Sequence, residues 1–168
     1  MAQYEAEVAL LIRSFREQDG RVLTIGVVES ATGGRISDRL TSIPGSSDYF
    51  RGSVIAYTNR LKITLLGVQE ATIEEHGAVS EQTALDMARG GRTLLGVDIC
   101  ISDTGIAGPG GATAQKPVGL FCFALAAEDA CLTRTHVFSG DRHENKQAAT
   151  ETALHMLVRY LSTCVQHS

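Results

Sequence analysis

Several familiar sources of chemistry are missing from this chain. No C-x-x-C or H-E-x-x-H pattern occurs, and the five histidines and four cysteines are scattered along the 168 residues without metal-ligand spacing, which argues against a structural metal. No apolar stretch is long enough to span a bilayer, and Glu5, Glu7, Arg13, Arg16, Glu17 and Asp19 break up any secretory apolar region at the start. A dominant charge is lacking too. Fifteen basic residues stand against nineteen acidic ones, net −4 and mixed along the sequence, which leaves no footprint for nucleic acid or an anionic membrane. These absences predict a cytoplasmic protein that contacts neither nucleic acid nor membrane. Without C-x-x-C spacing, Cys100, Cys122 and Cys131, in or beside apolar strand-like segments, and Cys164 read as buried free thiols.

Apolar residues make up 43% of the chain and charged residues 20%, an ordinary globular composition. The length fits a single domain, residues 1–168, able to bury a core without disulfides or metal. Val8, Leu11, Ile12 and Phe15 recur at helical spacing and predict a helix over 2–18, stopped by Asp19-Gly20. The run 22–28 predicts a strand buried on both faces, and 35–40 a helix. Further strands are expected over 49–57, 97–103 and 120–127, with 132–138 nearer an edge and paired to 120–127 as a hairpin, so the sheet is expected to be mixed. Short helices are expected after Thr58 or Asn59 and over 71–76. A longer one starts at Ser80 and carries a stripe of small residues, Ala84, Met87, Ala88, Gly91 and Leu95, for close packing against the sheet or a partner subunit. A last helix buries Ala149, Ala153, Leu154, Leu157, Val158 and Leu161.

The chain is organised around Glu29-Ser30-Ala31-Thr32-Gly33-Gly34, where the first strand turns sharply into a helix. Such a turn offers backbone N–H groups and the positive end of a helix dipole to an anion, beside two hydroxyls, Ser30 and Thr32. The same residues also serve as a helix cap on a permissive backbone, and the pattern alone leaves both readings open. Tyr57 and Lys62 flank a second strand end. There a tyrosine and a lysine close together can lower each other's pKa and transfer protons, or be a half-buried ring and a surface charge. Thr104-Gly105-Ile106-Ala107-Gly108-Pro109-Gly110-Gly111 leaves a third strand. It lacks the Gly-Lys-Ser/Thr ending of a P-loop and the G-x-G-x-x-G spacing, but its glycines let amides approach an oxyanion or phosphate closely. Arg142, ahead of the last helix, is either an anion clamp or a surface charge.

Together with Tyr57-Thr58-Asn59-Arg60-Leu61-Lys62, His76-Gly77-Ala78-Val79-Ser80, Lys116-Pro117-Val118-Gly119 and Gly140-Asp141-Arg142, the serine turn and the glycine-rich loop resemble the C-terminal domain of the CinA (competence/damage-inducible) family. Six motifs in order cover nearly the whole chain. The resemblance implies a single three-layer α/β/α domain with a mixed, largely parallel central sheet, assembling as a homodimer or larger homo-oligomer. It implies a metal-independent, cofactor-free amidohydrolase of pyridine nucleotide salvage that converts nicotinamide mononucleotide to nicotinic acid mononucleotide and ammonia, as in stand-alone members. It also implies roles: Ser30 as nucleophile, Tyr57 and Lys62 as the proton-transfer pair, and Thr32, Gly33, Gly34, Thr104, Gly105, Ile106, Ala107, Gly108 and Arg142 as holders of the oxyanion and the substrate's phosphate. The molybdopterin-binding-like N-terminal domain of longer members, and its activity, are not expected in this sequence. Ala31 replaces a Cys or Leu that is frequent in the family. Lys146 stands where many members have a second Arg, and a lysine does not reproduce a bidentate phosphate contact. The alternative the resemblance leaves is a catalytically silent nucleotide-binding or interaction protein linked to competence or DNA damage.

Overall fold

The computed structural model describes residues 3–167; Met1, Ala2 and Ser168 lie outside the described residues, and with them the first position of the helix expected over 2–18. In chain order the elements are α1 (Tyr4–Asp19), β1 (Ile25–Glu29), α2 (Arg35–Thr41), a 3-10 turn (Ser46–Asp48), β2 (Phe50–Ile55), α3 (Asn59–Leu66), α4 (Glu70–His76), α5 (Glu81–Leu95), β3 (Ile99–Gly105), β4 (Leu120–Ala126), β5 (Cys131–Val137) and α6 (Arg142–Gln166). The sheet order is β2-β1-β3-β4-β5; β1 runs parallel to β2 and β3, and β4 runs antiparallel to β3 and β5. Strand β4 alone is reversed, so the sheet is mixed and the carboxyl ends of β1, β2 and β3 meet along one edge of the layer.

Helices α1, α2 and α6 cover one face, and α5, flanked by α3 and α4, covers the other. On the first face Val8, Ile12, Ile36, Leu40, Leu154, Leu157 and Leu161 pack on Ile25, Val27, Ile99, Ile101, Phe121, Phe123 and Leu125. Each such side chain, fully buried, contributes about 1.5–3 kcal/mol through removal of apolar surface from water. All five residues of β1 are buried, as a strand sandwiched between helix layers requires, whereas every residue of β5 is exposed at the sheet edge. Cys100 and Cys122 are buried free thiols; Cys131, expected to be buried, is exposed because β5 is that edge strand.

Helix α5 starts where Ser80 accepts a hydrogen bond from the Thr83 amide. Its small-residue stripe lies against the sheet: a Cβ on Gly91 would fall 2.2 Å from Val28 Cγ2 and 2.8 Å from Cys100 Sγ. Helix α6 begins with a capping box in which Asp141 accepts from the Glu144 amide and the Glu144 carboxylate accepts from the Asp141 amide. No helix among the described residues is long and apolar enough to cross a membrane.

Candidate active site

Strand β1 ends in Glu29, and the chain then reverses into α2 through Gly33 and Gly34, at φ +65° and +99°. Those backbone angles suit glycine, so this residue choice makes the sharp turn possible. The turn delivers Ser30 to the carboxyl end of the sheet, where it is 7% exposed. Strand β2 ends nearby, Thr58 caps α3 by accepting from the Leu61 amide, and the first turn of α3 directs Lys62 inward. Lys62 is only 2% exposed. Its Nζ lies 3.0 Å from Ser30 Oγ and donates to Ala56 O at 2.9 Å. Burial pushes the Lys62 amine below the usual lysine range, against an opposing pull from the negative charge of Asp103. A depressed amine within hydrogen-bonding reach of a serine hydroxyl is the arrangement that activates a weak nucleophile.

Tyr57 is placed differently from its expected partner. It is 59% exposed at the rim, and its hydroxyl accepts from Arg142 Nη2 at 3.3 Å. Arg142 also donates from Nη1 to Gly108 O at 2.6 Å, linking the ring to the glycine-rich loop. Ser30 and Tyr57 both line a pocket of about 220 Å³, with Ala31, Gly105, Ile106, Ala107, Gly108, Gly110, Gly111 and Arg142. Beyond Ala107, Gly108 and Arg142 it adjoins a wider cleft of about 780 Å³, whose walls include Pro109, Val118, Arg35, His143 and Lys146.

The expected donors divide into two groups. In the serine turn four amides are already engaged: Ser30, Ala31 and Thr32 N–H donate to Asp103, and Gly34 N–H donates to Glu29, while the Gly33 amide makes no internal hydrogen bond among the described residues. The Thr32 hydroxyl lies between the same two carboxylates. Thr104 is turned away as well, its hydroxyl donating to Ala78 O on the α5 side at 2.8 Å, and the Ile106 amide donates to Leu120 O. Ala107 and Gly108 line the pocket, and among the described residues their amides make no internal hydrogen bond. The loop is held from α6, where buried Asn145 donates to Ala107 O and accepts from the Gly140 amide. On the α5 side Lys116 donates to His76 O and Val79 O.

The residues that sequence reasoning missed are the two acids. Glu29 and Asp103 are each 0% exposed. Burial and the neighbouring Glu29 charge push the Asp103 carboxyl up to about 6, while donors from Thr32 and Ser30 oppose the rise. The signal available was an acid closing an otherwise apolar, doubly covered strand, a place where an unpaired charge is rarely tolerated. Among the described residues no group of three or more His, Cys, Asp and Glu side chains is placed to hold a metal ion.

The CinA C-terminal domain family matches residues 8–161. The chain belongs to the CinA C-terminal domain family. A CinA-like protein of Chlorobaculum tepidum is 50% identical over 145 residues, covering 83% of this chain and 34% of that protein. A CinA-like protein of Salinibacter ruber is 49% identical over 154 residues, covering 92% of this chain and 37% of the relative. The CinA-type chain described here thus spans about a third of the length of these curated relatives. A crystal structure of the competence/damage-inducible protein CihA from Agrobacterium tumefaciens matches it with a TM-score of 0.87 at 37% identity, covering 96% of this chain and 97% of that one. The fold, including the mixed sheet between two helix layers, is that of the family.

Proposed function

We propose that this CinA-family domain is a metal-independent amidohydrolase acting on the carboxamide of a pyridine mononucleotide, nicotinamide mononucleotide being the expected substrate. The observation that carries the reading is the buried Lys62 amine 3.0 Å from the Ser30 hydroxyl. Amide hydrolysis needs an activated nucleophile, a donor for the departing nitrogen and donors for the oxyanion. In the proposed sequence Ser30 Oγ attacks the carboxamide carbon as its proton passes to neutral Lys62. The oxyanion is received by the free amides of Ala107 and Gly108 across the small pocket. Collapse of the tetrahedral intermediate breaks the C–N bond, and Lys62 returns the proton to the leaving nitrogen as ammonia. Water, deprotonated by Lys62, then cleaves the Ser30 ester to release the carboxylate.

Tyr57 acts in this reading as a rim residue that orients Arg142. Thr32 and Gly34 hold the turn, and Thr104 holds the strand end, in place of the contacts to substrate first expected of them. Arg142, with Arg35, His143 and Lys146 in the adjoining cleft, suits the anionic end of a mononucleotide. The test is ammonia release from nicotinamide mononucleotide by the purified protein. The expected result is turnover that Ser30→Ala abolishes; equal release from both proteins overturns the reading. Free nicotinamide turned over faster than the nucleotide would move the substrate class away from mononucleotides.

A second reading, a silent nucleotide-binding or interaction protein, is favoured by the size of the cleft beside the site, about 780 Å³ against about 220 Å³ at Ser30. The names of solved relatives as competence/damage-inducible proteins agree with it. Its signature is thermal stabilisation by the mononucleotide with no turnover.

A further inference from the structure

Behind the Ser30–Lys62 pair lies a row of polar groups that the proposed chemistry does not use directly. Asp103 reaches from β3 into the serine turn. Its Oδ1 accepts from the Ser30 amide at 3.1 Å, and its Oδ2 accepts from the Ala31 and Thr32 amides at 3.0 and 3.1 Å. It occupies the concavity that a turn of this kind offers to an anion. Glu29 does the same for the start of α2: Oε2 accepts from the Gly34 and Ile36 amides, and Oε1 from the Ser37 amide and hydroxyl. The turn that carries the nucleophile is therefore fixed from both sides by carboxylates of its own chain.

Between the two acids sits one hydroxyl, Thr32 Oγ1, 2.7 Å from Glu29 Oε2 and 2.5 Å from Asp103 Oδ1. A hydroxyl has one proton to donate, so it cannot bond two ionised carboxylates at once. One of the contacts needs a proton from the acid. The other partners of Glu29 are all donors, with two on each of its oxygens. Asp103 Oδ1 has only the Ser30 amide besides Thr32. The additional proton belongs on Asp103 Oδ1, which donates to Thr32 Oγ1, which in turn donates to Glu29.

We propose that Asp103 is the positioning residue of the Ser30–Lys62 pair, holding the nucleophile's turn through three amides while the proton it shares with Glu29 across the Thr32 hydroxyl decides whether Lys62 is a neutral base or an ammonium. The inference rests on the amidohydrolase reading for its meaning, but its physical content is a charge coupling that exists with or without turnover. With Asp103 protonated, no charge on β3 draws a proton onto Lys62, whose direct partners, Ser30 Oγ and Ala56 O, are uncharged. With Asp103 ionised, the ammonium form of Lys62 is favoured.

The other charges near this pair include Arg142, which lines the Ser30 pocket from the start of α6. Glu29 on β1 faces Asp103 through Thr32, Lys62 comes from α3, and from α6 Lys146 Nζ lies 3.3 Å from where a Cβ on Gly33 would stand. The residue opposite Asp103 on β4 is Phe123. The buried residues of α5, Thr83, Ala84, Met87, Ala88 and Gly91, include no ionisable side chain, and the buried residues of α6 include none either.

The test follows the Lys62 amine by nitrogen-15 NMR and the Asp103 carboxyl by carbon-13 NMR across pH in the full chain, then repeats the lysine titration in Asp103→Asn. Asparagine removes the charge and approximates the protonated acid: its NH2 donates to Thr32 and its oxygen accepts from the Ala31 and Thr32 amides, at the loss of the contact with the Ser30 amide, which an NH2 group does not accept. The expected result is a step in the Lys62 signal as Asp103 titrates, and in the variant loss of that step with a Lys62 midpoint lower by about one to three pH units. A Lys62 midpoint equal in both proteins overturns the proposal, even if Asp103→Asn lowers stability. Should the variant not fold, the wild-type titration decides alone, and absence of the coupled step refutes the inference. A protein that shows the coupling but releases no ammonia would reject the enzymatic reading and leave the coupling standing.

Discussion

Two loops leave the carboxyl ends of the neighbouring strands β1 and β3, both rich in small residues, and they use their backbone amides in opposite ways. The serine turn donates inward: the Ser30, Ala31, Thr32 and Gly34 amides end on Asp103 and Glu29, so its hydrogen bonds rigidify the backbone that carries Ser30. The glycine-rich loop is held by its carbonyls, with Ala107 O accepting from Asn145 and Gly108 O from Arg142, while the amides of these two pocket-lining residues make no internal hydrogen bond among the described residues. Glycine content does not distinguish the two. What separates them is whether the domain supplies its own anion: Asp103 and Glu29 take four amides of the serine turn, and among the described residues only its Gly33 amide, of residues 30–34, is left without an internal hydrogen bond.

The contrast breaks most visibly at Lys62, whose amine meets the rigid turn at Ser30 Oγ. Lys62→Met is expected to lower kcat/KM for amide hydrolysis by about 10²–10⁴, the usual range for loss of a general acid–base group. Its melting temperature is expected to hold or rise, because methionine fills the site without the cost of burying an amine. Steady-state kinetics and a thermal melt of the same preparation check both halves. A large loss of stability with little loss of rate would mean that Lys62 is a structural donor to Ala56.

The inward-facing turn also predicts a pH dependence of stability. Asp103 has its folded-state midpoint raised to about 6 from 3.8, so the folded protein binds this proton more tightly than the unfolded chain. Stability from this group is fully present below about pH 4, falls as pH rises towards 6, and is gone above it. The expected size is at most about 3 kcal/mol. Denaturant unfolding at intervals from pH 4 to 7 should show the slope in the wild type and a flatter profile in Asp103→Asn. Equal slopes would place the proton elsewhere.

A third comparison sets alanine on each loop. Gly108 has φ +92°, and a Cβ there would lie 2.6 Å from Val118 Cγ1, a branched atom with little room to move. Gly33 has φ +65°, and its Cβ would meet only the mobile end of Lys146 at 3.3 Å. Both substitutions cost backbone strain, and Gly108→Ala is expected to cost about 1–2 kcal/mol more because it adds a steric conflict. Melting temperatures rank them. The reverse order would indicate that the serine turn is the less tolerant backbone.

Much of this was legible from local pattern. The buried β1 and the caps at Thr58 and Ser80 follow from periodicity and capping chemistry, which involve residues a few positions apart, whereas the same spacing left Lys62 open between an inward amine and a surface charge. The carboxylate anchors were not legible because Asp103 meets Ser30 across 73 positions, a pairing that exists only once β1 and β3 lie side by side. Thr104 is a different kind of miss. Side-chain alternation along β3 sets Thr104 on the face of Ser102, which donates to Ala84 O on α5, and Asp103 on the opposite face beside Phe123. Applied to Asp103 and Thr104, that alternation turns the threonine away from the side of Ser30 and puts the acid there.

The smallest effect concerns Tyr57, where the rim of the pocket meets both loops. Two roles give different numbers. If the phenol moves a proton in the reaction, Tyr57→Phe removes the group and kcat falls by about a hundredfold or more. If it only orients Arg142, as its 3.3 Å contact with that guanidinium and its 59% exposure favour, the loss is one solvent-accessible hydrogen bond. Such a bond is worth about 0.5–1.5 kcal/mol, or roughly two- to tenfold, and the change should fall on KM because the proposed function puts Arg142 at the substrate's anionic end. The kcat of Tyr57→Phe, measured at saturating nicotinamide mononucleotide, separates the two, and a hundredfold fall would place the tyrosine inside the chemistry and the rim closer to Ser30 than its present hydrogen bonding implies.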